Sequence, residues 1–376
     1  MRLTGTECFW EFPFADACVL ARPELPNLYI LNPTAASAWR LFRAGKSIDE
    51  AAEEFAFAHN ISTDTAARDL MHTWADWEHT LLAPLSSART TSARHSLPDG
   101  PTDCFSRDYR LRERNIRVIL THPDLVAEIA PRIEPLLTAS ACPPDATLQV
   151  TASGDGYHLF SGATCIATEA DPASLRVLFL QEFARLAEAN EEWMAILHAA
   201  ACGAQDKCII FPAASHSGKT TLAAALMNAG MTFYADDSVA LQAKSLKIPA
   251  MPFAMMIREG SWPAISARFP DFQKAPIHER YGENVRFFHP TEPAHQFARP
   301  AAMVFSEWRE TGGTVIAELD PFSALVRLRN SGFWVTHDRS SISSFLDWLL
   351  SLPIYQMSYS DLDEAAEFAK ELLASR

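Results

Sequence analysis

One stretch limits what this chain can fold into: Cys208-Ile-Ile-Phe-Pro-Ala-Ala-Ser-His-Ser-Gly-Lys-Thr-Thr, continued by Leu-Ala-Ala-Ala-Leu. Its apolar start reads as a buried strand and its middle as a tight loop. Its end reads as a helix opening on Lys219 and Thr220. That order is what a phosphate-binding loop requires. Backbone N–H groups of loop and helix face the phosphates, the lysine adds a point charge, and the threonine hydroxyl holds magnesium. The nucleotide-binding candidates are therefore Ala213, Ala214, Ser215, His216, Ser217, Gly218, Lys219, Thr220 and Thr221. The match is incomplete, because Ala213 stands where the usual pattern has its first glycine, and His216-Ser217 precede the Gly-Lys pair. An ordinary strand-to-helix turn would also give this order. Against that, a lysine at a helix N-terminus opposes the helix dipole unless an anion is present.

The rest of the chain narrows the partners. A length of 376 residues allows two or three domains and ample core. A net charge of −14 argues against a nucleic-acid ligand, since phosphate backbones are bound by clustered Lys and Arg. The seven cysteines lack C-x-x-C spacing, which fits a reduced, cytoplasmic chain better than a disulfide framework or a zinc site. No basic start with an apolar run marks a signal peptide, and no stretch is apolar for long enough to span a bilayer.

Residues 86–102 are rich in Ser, Thr and Pro without hydrophobic period, and read as a linker. Before it, residues 1–85 form a small domain: short strands around Cys8–Phe12, Cys18–Ala21 and Leu28–Leu31, then three helices. The first helix runs from about Thr34 to Arg43. The second starts at the capping box Ser47-x-x-Glu50, and the third runs from Thr63 to about Leu82. Strands followed by short helices suggest a winged-helix-like α+β fold. Its 6 Lys and Arg against 12 Asp and Glu make DNA an unsuitable ligand.

The larger domain, 103–376, has an N-terminal part over 103–190 and a nucleotide-binding part over 191–376. In the first part Asn115–Leu120 reads as a strand, and Gly154-Asp155-Gly156 reads as a hairpin turn between strands. A helix from about Ser174 to Ala189 follows, then a strand Trp193–Ala201 carrying His198. After the loop helix, Met231-Thr-Phe-Tyr-Ala runs into Asp236-Asp237. One carboxylate there can serve magnesium, and the other can accept a proton from an attacking hydroxyl. On a continuing strand the two would point oppositely, whereas a turn would let both face one ligand. An apolar flank suits His198 equally as a core residue and as a site residue. Two amphipathic helices, Ser341–Leu350 and Ser360–Leu373, read as packing against the sheet.

Two resemblances add to this reading. The segment Asn27-Leu-Tyr-Ile-Leu-Asn-Pro-Thr-Ala, with the later Gly45-Lys-Ser-Ile, resembles the PqqD family of peptide-recognition domains. That resemblance implies binding of a precursor's leader peptide as an added edge strand. Leu197-His-Ala-Ala-Ala, Ser217-Gly-Lys-Thr-Thr-Leu and Tyr234-Ala-Asp-Asp together resemble the HPr serine kinase family, in particular its peptide-modifying branch. The implied fold is a P-loop α/β domain, and the implied ligands are ATP and magnesium. Carried over by position, the resemblance makes Asp236 the general base and includes His198, Lys219 and Thr220 in the kinase centre. Arg258, in Arg-Glu-Gly-Ser, becomes the phosphate-contacting cation, and magnesium falls to Thr220, Asp237 and Glu259. An acidic residue that those kinases carry two places before their arginine is Met256 here. Arg286 is a further cationic candidate.

The implied activity is ATP-dependent phosphorylation of a serine in a ribosomally made precursor peptide, recruited through its leader. The alternatives are a non-catalytic ATP-binding chaperone for the peptide, or transfer of a nucleotidyl group. Kinases of this type often form rings, so the resemblance leaves a homo-oligomer open.

Overall fold

The structure, a computed structural model, describes residues 8–82, 105–139, 142–154, 156–188, 191–214, 217–280, 282–290 and 297–376. The linker reading over 86–102, Asp155, Ser215 and His216 lie outside these residues. The chain is mixed α/β, with several sheets, and divides into two compact units.

The first unit opens with an antiparallel meander of β1 (Trp10–Phe14), β2 (Ala17–Arg22) and β3 (Leu25–Leu31). Three helices follow: α1 (Pro33–Arg43), α2 (Ile48–His59) and α3 (Thr63–His79). Their starts are set by local chemistry. The Asn32 side chain accepts from the Ala35 N–H at 2.8 Å, with proline at the first helical position. Ser47 and Glu50 close the capping box read in the sequence. Ala66, Leu70, Trp74 and Trp77 fall on one buried face of α3. Trp77 and Trp74 meet Trp39 and Phe42 of α1 edge-to-face, with Phe42 and Trp74 centroids 5.6 Å apart. The helix Arg339–Ser351 belongs to this unit through its contacts with β1, and buries Ile342, Phe345, Leu346 and Leu349. The sequence reading puts that helix on the sheet of the larger domain; the apolar stripe is right, but a stripe does not name the surface that covers it.

The second unit contains a five-stranded sheet in the order β4 (Phe105–Leu111), β5 (Arg114–Leu120), β6 (Ala146–Ser153), β7 (Gly156–Ser161), β8 (Thr164–Glu169). Helix α4 (Pro123–Ile133) connects the parallel pair β5 and β6, while the other neighbours are antiparallel. Helix α5 (Pro172–Ala187) starts at Asp171, whose carboxylate accepts from two backbone N–H groups, and buries Leu175, Phe179 and Phe183.

The single strand expected over Trp193–Ala201 is two: β9 (Trp193–Leu197) and β10 (Ala199–Ala204), separated at His198. The His198 N–H donates to the Gly332 carbonyl at 3.0 Å. The main sheet joins β10 to β11 (Lys207–Pro212), which leads into α6 (Lys219–Asn228). On the other side β10 pairs with β12 (Thr232–Ala235), while β9 pairs with β13 (Val239–Gln242). A smaller antiparallel sheet follows from β14 (Met255–Arg258), β15 (His278–Arg280) and β16 (Glu283–Phe288). Next comes β17 (Phe297–Trp308), parallel to β11, then β18 (Val315–Glu318). The sheet is completed by β19 (Ile354–Tyr359), parallel to β17 and antiparallel to β18, and the chain closes with α8 (Leu362–Ala374). The label α7 is given to the short helix Trp262–Arg268.

Helices α6 and α8 cover one face of the main sheet. Leu222, Ala223 and Leu226 meet Phe211, Val304, Ala365 and Ala369 in one apolar cluster. The small residues let helix and sheet approach closely, so α6 is held firmly behind its N-terminus. Among the described residues, no helix is long and apolar enough to cross a membrane.

Candidate functional site

The three parallel strands β11, β17 and β19 finish at Pro212, Trp308 and Tyr359. In open α/β sheets the carboxyl ends of such strands form the ligand-binding edge. The turn into α6 is fastened there: the Trp308 N–H donates to the Ser217 carbonyl at 3.2 Å, and the Ser217 N–H donates to the Ala214 carbonyl at 3.3 Å. Gly218 adopts φ +87, and a Cβ there would lie 3.1 Å from both Trp308 Cβ and Tyr359 Oη. A side chain there would be strained by the backbone conformation and would press on both neighbours. Helix α6 then begins at Lys219 with no side-chain cap, leaving its first N–H groups without that partner.

Lys219 is buried, 7% exposed, and its Nζ has no hydrogen-bond partner among the described residues. Its closest carboxylate oxygen is Asp237 Oδ1, at 3.7 Å. Strand β12 ends at Ala235, and Asp237 takes φ +75, so the Asp-Asp pair lies on a turn. That turn lifts the strand limit, and both carboxylates line the same cavity. A non-glycine residue held in the left-handed region is strained, a feature that clusters at functional sites.

The two carboxylates have opposite surroundings. Asp236 is buried, and its Oδ1 lacks a hydrogen-bond partner among the described residues. Burial pushes its carboxyl up, with the charge of Asp237 adding, while Lys219, Arg132 and a Thr220 hydrogen bond pull the other way. Burial also opposes ionisation of Asp237. There the His198 hydrogen bond and the charges of Arg132, Lys219 and Arg176 outweigh it, holding the carboxyl well below the usual range. His198 Nε2 lies 3.2 Å from Asp237 Oδ1, and its Nδ1 lies 2.8 Å from the Ser331 carbonyl oxygen. Its ring bridges the Ser331 carbonyl and the Asp237 carboxylate. His198 is thus a site residue held in the break between two strands.

Strand β14 and the turn after it form the facing wall. Thr221 Oγ1 donates to Ser261 Oγ at 2.8 Å, tying α6 to the Arg258-Glu259-Gly260-Ser261 segment. Arg258 pairs with Glu283 at 2.6 Å, and the Asn284 amide donates to Glu259 at 3.0 Å. The resulting cavity, about 880 Å³, has the size of a cofactor site. It is lined by Ala214, Ser217, Gly218, Lys219, Thr220, Thr221, His198, Asp236, Asp237, Arg258 and Glu259. Ala213 is buried at the end of the strand and does not line it. Arg286 does not line it either. Its guanidinium donates to the Phe272 and Gln273 carbonyls and lies 4.6 Å over the Trp262 ring.

Four further residues belong to this site, and nothing near them in the sequence points to it. Trp308 and Tyr359 form the floor under Gly218. Arg132, from α4, lines the cavity with its Nη2 3.5 Å from Asp237 Oδ2, and Arg176, from α5, has its Nη2 4.0 Å from the same oxygen. A larger apolar cavity, about 1170 Å³, also borders α4 but contains none of the predicted site residues.

Among the described residues, no group of three or more His, Cys, Asp or Glu side chains could hold a metal ion alone. A magnesium ion here would therefore lean on a hydroxyl, a carboxylate and phosphate oxygens, as magnesium does in phosphoryl-transfer sites. Comparison with family models and with curated proteins finds no match for the chain.

Proposed function

We propose that the chain is an ATP-dependent kinase that phosphorylates a serine of a ribosomally made precursor peptide. The observation that carries this reading is the convergence in one cavity of a buried lysine at a helix N-terminus, Lys219, whose Nζ has no hydrogen-bond partner among the described residues, and the carboxylate pair Asp236 and Asp237. A buried ammonium with a carboxylate at 3.7 Å and no hydrogen bond among the described residues is incompletely satisfied, and a polyphosphate supplies further acceptors. The residues present fit ATP: Gly218 leaves room where a Cβ would crowd the floor, and α6 offers its N-terminal N–H groups. Magnesium falls to Thr220, Asp237 and Glu259, and would supply charge neutralisation between phosphate oxygens.

Phosphoryl transfer needs positioning and charge stabilisation more than covalent chemistry. Asp236 is the general base in this reading, because burial gives its carboxylate a higher proton affinity than that of its neighbour. Arg258 contributes a fixed positive group at the cavity wall, and His198 a hydrogen-bonding ring beside Asp237. The first unit is read as a PqqD-like, winged-helix-like module that binds the leader along a sheet edge. A leader held in place raises the effective concentration of the serine. The second unit is read as an HPr-kinase-like P-loop domain.

One observation favours a non-catalytic ATP-binding chaperone instead: Ala213 is buried where the usual loop has a flexible glycine. The test is Lys219→Ala. Removing a charge-assisted contact worth about 1.5–3 kcal/mol should weaken ATP binding some tenfold to a hundredfold and remove most transfer. Unchanged ATP affinity in a folded Lys219→Ala protein would overturn the phosphate-loop reading.

A further inference from the structure

Three buried cations, Arg132, Arg176 and Lys219, converge on the single carboxylate of Asp237, at 3.5, 4.0 and 3.7 Å. Charge-assisted hydrogen bonds settle at about 2.7–2.9 Å, so the Arg132 Nη2 hydrogen bond to Oδ2 is a long one, and Lys219 and Arg176 stand farther off. Arg176 has another partner, since its Nη1 lies 2.8 Å from Glu128 Oε1. Glu128 is also shared with Arg280, at 3.3 Å. Arg132 itself spends Nη1 on the Ala254 carbonyl at 3.0 Å and leaves Nε without a hydrogen-bond partner among the described residues. Arg132, Arg176, Lys219 and Arg280 stand against Asp236, Asp237 and Glu128, one cation more than carboxylates among the described residues, and such a surplus at a cavity wall suits an anion.

We infer that Arg132 is a further phosphate-contacting residue of this site and binds the terminal phosphoryl group of a nucleoside triphosphate. The inference rests on the nucleotide reading of the Lys219 loop. The assignment to the terminal phosphate follows from the order of groups. Gly218 and the α6 N-terminus fix where the inner phosphates lie. Lys219 faces Oδ1 of Asp237 and Arg132 faces Oδ2, so Arg132 stands beside the carboxylate pair. The phosphate that reaches the carboxylate pair is the last one. Arg132 is carried by α4, which packs with the five-stranded sheet, so this N-terminal layer is a working part of the site.

The experiment is calorimetric titration of ATP and of ADP, at fixed magnesium, into the full chain, Arg132→Gln and Arg132→Lys. Losing one charge-assisted contact should weaken ATP binding by Arg132→Gln about tenfold or more and leave ADP binding within about twofold. Arg132→Lys, which keeps a cation but not the fork, should fall between wild type and Arg132→Gln for ATP. If Arg132→Gln fails to fold, the ATP-to-ADP comparison in Arg132→Lys decides. An equal loss for both nucleotides would show that Arg132 only supports the fold, and no loss for either would show that it does not meet phosphate. Binding of neither nucleotide by the wild-type chain would remove the nucleotide reading, and this inference with it.

Discussion

Asp236 and Asp237 are adjacent and chemically identical, yet their surroundings separate them. Asp236 is buried beside Thr220, whereas Asp237 faces His198 and three cations. The pairing of an acid with raised proton affinity and one held ionised is how a site assigns base and charge partner. Asp236→Asn should therefore cut transfer by about two to four orders of magnitude, with nucleotide still bound. Asp237→Asn has a different signature. It leaves Arg132 and Lys219 without their carboxylate, so magnesium-free ATP should bind more tightly while the magnesium required for transfer rises. Rate against magnesium, with affinity measured separately, checks both. Rescue of Asp236→Asn by high magnesium would reverse the roles, and full activity in both variants would remove the pair from the mechanism. Of these residues, the pair and Lys219 were legible in the sequence because a short motif carries them. Arg132 and Arg176 were not: each is a polar position on an amphipathic helix, and only the fold brings it beside Asp237.

At the scale of elements, the strand–loop–helix order was legible because β11 is a continuous apolar run and α6 starts at the Gly-Lys pair. The capping box of α2 was legible for the same local reason. The break at His198 was not, since Trp193–Ala201 is apolar on both sides and the donor-acceptor pair that ends the strand involves Gly332, far along the chain. The floor beneath Gly218 is equally non-local: Trp308 and Tyr359 arrive from the ends of two later strands. Gly218→Ala tests that floor. A side chain in the left-handed region costs about 1–2 kcal/mol, and here the Cβ would also press on Trp308 and Tyr359. The variant should unfold at lower temperature and bind ATP more weakly. A thermal midpoint and affinity equal to wild type would mean that the turn is not held as described.

At the scale of the molecule, the kinase reading needs a source of peptide, and the first unit is its proposed receptor. The apolar patterns of α1, α2 and α3 gave this unit's core, but the helix Arg339–Ser351 joins it from far along the chain. That helix makes truncation of the N-terminal residues a poor test, because the cut would remove β1, which it contacts within the unit. Removing the leader from the peptide is cleaner. Peptide without leader should need a much higher concentration for the same rate, and free leader should inhibit reaction of the full precursor. Equal efficiency with and without the leader would contradict recruitment by the first unit. The central claim, phosphoryl transfer, is tested most directly by incubating the full chain and a serine-containing precursor peptide with ATP labelled either at the α- or at the γ-phosphate. The account predicts label on a serine from γ-labelled ATP only, and none with Lys219→Ala. Label from α-labelled ATP would make the enzyme a nucleotidyl transferase, and tight ATP binding with no label from either would make it a non-catalytic binder; each result contradicts the account.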